Sequence, residues 1–144
     1  MKYHPQFHDR KSVRLRTKDY RSGSYFITIC AVNREWLFGD IKGGGMMLNE
    51  LGKIVEKCWH EIPNHFSHVS LDTFIVMPNH IHGILTLNTS GRGIACNAPT
   101  PRRAFGKADP GTLPVIIRSF KSANTRLINK LRDAPATPVW QRSY

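Results

Sequence analysis

The 144-residue chain carries 21 Lys and Arg against 10 Asp and Glu, a formal net charge of +11, with 40% hydrophobic, 10% aromatic and 22% charged residues. That length suits one domain around a single core, and the composition excludes a disordered basic tail. No run approaches the ~18 apolar residues of a membrane-spanning helix, the opening Met1-Lys2-Tyr3-His4-Pro5 leads into no apolar signal region, and Cys30, Cys58 and Cys96 are too few and too scattered for a disulfide framework or a Cys-type zinc site, so the cytoplasm is the expected compartment.

The charge is clustered. Residues 1–22 hold seven bases against two acids, residues 23–87 four against six, and residues 88–144 ten against two, so the segments carry +5, −2 and +8. Two basic ends around a mildly acidic centre form the footprint of a polyanion partner, because Lys and Arg that neutralise phosphates release condensed counterions. The plain alternative is a solubilising surface, or a small ribosome-associated protein.

Residues 1–22 show no apolar periodicity and read as a basic N-terminal arm; residues 23–144 read as the domain. Ser24–Val32 is β-branched and aromatic on both faces, which predicts a strand buried on both sides. Gly43-Gly44-Gly45, between Leu37-Phe38 and Met46-Met47-Leu48, predicts a short hairpin. Asn49 then caps a helix whose apolar positions are Leu51, Ile54, Val55, Cys58 and Ile62, ended by Pro63. Val69–Met77 and His80–Leu87 are two strands joined through Pro78-Asn79. Residues 88–111 read as a long exposed loop. Thr112 and Pro114 open a second helix with the stripe Ile116, Phe120, Ala123, Leu127 and Leu131, and Val139-Trp140 begins one more strand. The order predicts an α+β domain, an antiparallel sheet with helices on one face.

His80-Ile81-His82 is the chemically pointed feature. On a strand, residues i and i+2 share a face roughly 6.5–7 Å apart, so two imidazoles can converge on one divalent metal. His80, His82, Ile84 and Thr86 then share one face and Ile81, Gly83, Leu85 and Leu87 the other. Alone the tripeptide is weak, since an exposed strand with two histidines explains it equally well. An H-x-H-x-D-H hydrolase does not fit, because Gly83-Ile84-Leu85 follows, and an amidohydrolase barrel needs a far longer chain.

The flanking residues add specificity. Phe74-Ile75-Val76-Met77-Pro78-Asn79-His80-Ile81-His82-Gly83-Ile84 resembles the histidine–hydrophobic–histidine (HUH) signature of small single-tyrosine transposases, including the REP-associated ones. Ser24–Cys30 resembles that family's first strand, Leu37-Phe38-Gly39 and Leu48–Gly52 its hairpin and first-helix entry, Ile117–Ser122 its second helix, and Val139–Tyr144 its next strand. The resemblance implies a ferredoxin- or RRM-like palm that binds single-stranded or hairpin DNA. It implies cleavage and rejoining through a phosphotyrosine, with Mg²⁺ or Mn²⁺ held by His80, His82 and a third ligand. DNA is the implied partner; a homodimer is compatible with the family, and a membrane is not implied. The family's nucleophile lies on a further helix in a Y-x-x-x-N-P context that these residues do not contain. The expectation is therefore a domain without its nucleophile helix and with impaired strand transfer. Tyr144 is the weak candidate nucleophile.

For DNA contacts, Arg118, Lys121, Thr125 and Arg132 cluster on one side of the second helix, and Arg102, Arg103 and Lys107 sit in the long loop. A solvated helix face explains the first group as readily. A competing class is a non-enzymatic nucleic-acid-binding domain with an RRM-like sheet, but Phe74 and Tyr25 do not make its stacking pattern and the two histidines would go unexplained. A rolling-circle initiator or relaxase shares the HUH element, although the flanking residues favour a transposase.

Overall fold

The computed structural model describes residues 20–88 and 111–142. Arg102, Arg103, Lys107, Tyr144 and most of the expected arm lie outside the described residues. The described elements run β1 (Gly23–Cys30), β2 (Gly39–Lys42), β3 (Gly45–Leu48), α1 (Glu50–His60), α2 (Ile62–His65), β4 (Val69–Met77), β5 (His80–Leu87) and α3 (Leu113–Leu131). Tyr20 is already joined to this body, since its carbonyl accepts a bond from Leu113 N at 3.0 Å.

β5 is the central strand of an antiparallel sheet ordered β1-β5-β4. The expected last strand is a single bridge, Trp140 to Ala31. It is flanked by Gln141 N to Cys30 O and Val32 N to Val139 O, both 2.9 Å, so residues 139–141 line the outer side of β1. The glycine run forms the β2–β3 hairpin as expected. Its turn residues Gly43 and Gly44 sit at φ +57° and +78°, left-handed conformations that cost a residue with a Cβ about 1–2 kcal/mol.

Burial alternates strictly along β5, with Ile81, Gly83, Leu85 and Leu87 buried. These side chains, with Tyr25, Ile27 and Ile29 of β1, form the sheet half of the core. The helices supply the other half. α1 contributes Val55, Cys58 and Trp59, and Asn49 caps it by accepting from Gly52 N at 2.9 Å. Trp59 stacks on Phe74 of β4, centroids 4.6 Å apart, and meets Phe120 of α3 edge-on. A Cβ built on Gly83 would lie 2.4 Å from the Trp59 ring, so the indole rests directly on the β5 backbone.

Three expectations are corrected. β1 is not buried on both sides: Phe26 is 69% exposed while its neighbours Tyr25 and Ile27 are buried. The helices cover only one face of the sheet, and Phe26 points to the other. Pro63 does not simply end a helix; α1 stops at His60 and Pro63 sits in the first turn of α2, where its missing N–H costs nothing. In α3 the buried line runs through Ile116, Phe120, Asn124 and Ile128, and Leu127 and Leu131 are exposed. An apolar-only stripe passes over Asn124, whose amide nitrogen is satisfied by Phe120 O at 2.7 Å inside the same helix.

Because the Trp59 ring cannot recede through the core, Gly83→Ala is expected to destabilise the protein by about 1–3 kcal/mol through overpacking. Urea unfolding followed by tryptophan fluorescence measures this as a lower midpoint with an unchanged slope.

Candidate metal and nucleic-acid site

The open face of the sheet carries His80 and His82 of β5, flanked in register by Cys30 and Thr28 of β1 and by Met77 and Ile75 of β4. Strand alternation puts both imidazoles on this face, and their Nε2 atoms lie 3.1 Å apart. Each ring is held at its other nitrogen. His80 Nδ1 is 2.7 Å from Asn79 Oδ1, and His82 Nδ1 is 2.9 Å from Thr28 Oγ1.

The hydrogen-bond chain fixes one tautomer. Asn79 Nδ2 donates to the Arg34 carbonyl at 3.2 Å. A carbonyl can only accept, so the amide oxygen of Asn79 must face His80. His80 Nδ1 therefore carries the proton, and its Nε2 lone pair points toward His82. A threonine hydroxyl both donates and accepts, so Thr28 serves either tautomer of His82. Phe26 steadies the same ring from the side, stacked at 5.3 Å and 20°.

The spacing suits a shared cation. Two nitrogens bound to one metal at about 2.1–2.2 Å, at right angles as in octahedral coordination, are roughly 3.0–3.1 Å apart. Neutral imidazoles with their far nitrogens hydrogen-bonded are the usual state of metal-binding histidines. Among the described residues no group of three or more His, Cys, Asp or Glu converges, so side chains of these types bring two nitrogens together there and not a full ligand set.

Several contributors escaped sequence reasoning. Thr28 and Phe26 become visible only through the β1–β5 register. Arg34 follows Asn33 in a turn where both residues are left-handed, φ 55° and 52°, and its charge is one of those that bear on His80. Local strain of this kind costs of order 1–3 kcal/mol and clusters at functional sites. Of the helix cations expected to meet DNA, Arg118 is exposed and Lys121 donates to Gln141 O while lining a groove beside α3. Arg132 instead clasps the turn after α3, bonded to Asn129 Oδ1 and Thr137 O.

The fold is that of the REP-associated tyrosine transposases. A REP-associated tyrosine transposase solved bound to a REP hairpin superposes with a TM-score of 0.54 at 17% identity, over 91% of this chain and 58% of that one. A candidate transposase of Deinococcus radiodurans R1 superposes with a TM-score of 0.53 at 15% identity, over 90% and 80% of the two chains. In sequence, the chain belongs to the same family as an uncharacterised protein of Haemophilus influenzae Rd, 43% identical over 147 residues, 99% of this chain and 80% of that relative. No protein-family profile matches.

Burial lowers the pKa of His80 below the ordinary histidine value, and the neighbouring His82 and then Arg34 lower it further. The unfolded chain takes up a proton near pH 6.5 that the native state refuses, so native stability falls as pH drops below about 6.5 and levels off once the folded group titrates. His80→Gln is expected to remove this part of the acid sensitivity. Denaturant midpoints of both proteins between pH 7.5 and 5 measure it, and parallel curves would refute it.

Proposed function

We propose that this protein handles single-stranded or hairpin DNA in the cytoplasm, holding Mg²⁺ or Mn²⁺ at His80 and His82. The observation that carries the reading is the pair of Nε2 atoms 3.1 Å apart with both Nδ1 atoms tied. The net charge of +11, the transposase fold and the hairpin bound by one structural neighbour support DNA as the partner. We retain residues 1–22 as a basic arm and 23–144 as the catalytic-type domain, with Arg102, Arg103, Arg118 and Lys121 as phosphate contacts.

A bound divalent ion would polarise a phosphodiester by neutralising charge on a nonbridging oxygen. The chain's own residues prepare for that. Asn79 and Thr28 hold the two rings in place, Phe26 limits rotation of His82, and Arg34 adds positive charge beside His80. In-line attack on phosphorus needs a nucleophile about 3–3.5 Å away. Tyr25 is buried with its hydroxyl donating to Ser22 O, and Tyr20 packs against it at 5.8 Å. Tyr3 and Tyr144 lie outside the described residues. Among the described residues, therefore, we assign no tyrosine as the phosphotyrosine nucleophile.

The second reading, a non-enzymatic RRM-like nucleic-acid-binding domain, is favoured by Phe26, which offers an exposed aromatic on the open sheet face. Base stacking on such a ring is worth about 1–3 kcal/mol. Metal binding separates the two readings.

Titration with Mn²⁺ by calorimetry is expected to show one site that His80→Ala abolishes. Thr28→Val is expected to weaken it about 10- to 100-fold, the usual loss when an outer partner of a ligand is removed. Full-strength Mn²⁺ binding by His80→Ala would leave the RRM-like reading.

With labelled hairpin DNA, binding is expected to weaken with salt at a slope near −4 to −5 in log K against log salt, for about six neutralised phosphates. Salt-independent binding, or none at 50 mM salt, would defeat the DNA reading. Added Mn²⁺ is expected to yield no denaturant-resistant complex. A complex lost in Tyr144→Phe would make Tyr144 the nucleophile.

A further inference from the structure

A groove of about 660 Å³ runs between α3 and the segment 136–142. Arg118, Lys121 and Arg126 line it from α3 and Arg142 from the segment, and its described lining contains no acidic side chain. Pro114 and Pro138 add apolar surface between the cations. Arg118, Arg126 and Arg142 in one cleft, with no acidic side chain in its described lining, raise the local positive potential, which favours an anionic occupant. Arg118 and Arg126 are eight residues apart on one helix, about 12 Å at 1.5 Å per residue. That length meets successive phosphates better than a single anion.

The groove also has a defined relation to the histidines. Gln141, on its segment wall, donates from its backbone N to Cys30 O, and Cys30 pairs with His80 across β1 and β5. The wall therefore stands two strand spacings from His80, roughly 10 Å. α3 packs on the helix-bearing side of the sheet, so groove and histidine face meet around the β1 edge. A duplex keeps its bases paired and stacked inside, away from such an apolar lining. A single strand fits, with its sugars and bases against the apolar lining and its phosphates on the cations.

We infer that this groove is a second nucleic-acid site, a track for single-stranded DNA leading round the β1 edge to His80 and His82, in which Arg126 and Arg142 hold phosphates. It rests on the DNA reading above and adds to it a location, a strand state and two residues.

The test uses the whole 144-residue chain, a labelled single-stranded oligonucleotide and a duplex of the same sequence, with anisotropy read across salt concentrations. Arg126→Gln with Arg142→Gln is expected to make the single-strand salt slope shallower by about 1.4, at roughly 0.7 per phosphate, and to weaken binding about tenfold near 0.15 M salt. Mn²⁺ affinity is expected to stay unchanged. Lys53→Gln with Lys57→Gln, an equal charge loss on α1, is expected to leave the slope as it is. Arg142→Gln alone, read the same way, should shift the slope by about 0.7 and decides the matter if the double variant folds poorly. Unchanged single-strand binding in the groove variants, or an equal loss in the α1 variant, would overturn the groove while leaving the DNA reading intact. An equal loss on duplex would overturn the single-strand assignment. No DNA binding by the unmodified chain would overturn the DNA reading itself.

Discussion

The contact between Trp59 and Gly83 is the constraint on which the rest of the molecule depends. A flat indole can lie on a strand only where the strand has no side chain, and β5 provides that gap in the middle of its buried face. The stacked Phe74 and the edge of Phe120 close around the same ring, so one residue of α1 joins the edge strand β4 and the helix α3 to the central strand. It also sets the parity of β5. Since side chains alternate, anchoring Gly83 inward turns His80 and His82 outward, and a one-residue slip would bury both imidazoles in the core.

The open face is organised by a run of hydrogen bonds from the Arg34 carbonyl through Asn79, His80 and His82 to Thr28. Each link constrains the next. The strained Asn33-Arg34 turn presents a carbonyl that orients an amide, which sets a tautomer, which aims a lone pair. The arrangement is asymmetric: His80 is held in a single protonation pattern by an amide oxygen that only accepts, whereas the Thr28 hydroxyl can pair with His82 Nδ1 whether that nitrogen donates or accepts. Under the proposed metal reading, one rigid and one adaptable ring would accept a cation without moving the sheet.

Much of this was legible beforehand, and what was not has identifiable physical causes. The period-2 pattern of His80–Leu87 was readable because one face is all small or aliphatic. The hairpin and the Asn49 cap were readable because glycine pairs and capping side chains have local causes. Phe26 reads as core because an aromatic in a β-branched run looks buried until the covering layer is known. Thr28 needs the pairing register, which joins residues 54 positions apart. The apolar pattern of α3 points to a rotated face because a buried Asn124, whose amide nitrogen bonds within its own helix, leaves no apolar mark, and Arg132 reads as a DNA contact although its partners are backbone and Asn129.

The long separation between β1 and β5 has a consequence for how the molecule assembles. β4 and β5 are joined by a two-residue turn, so their hairpin can close within microseconds and places Asn79 beside His80 early. Thr28 and Phe26 arrive only when β1 docks, closing a loop of more than fifty residues whose entropy cost must be met before its contacts form. The histidine pair and Asn79 therefore come together before the supports from β1 do. Completion of the site reports the docking of β1, and a growing chain on the ribosome would reach it only after β5 has been released.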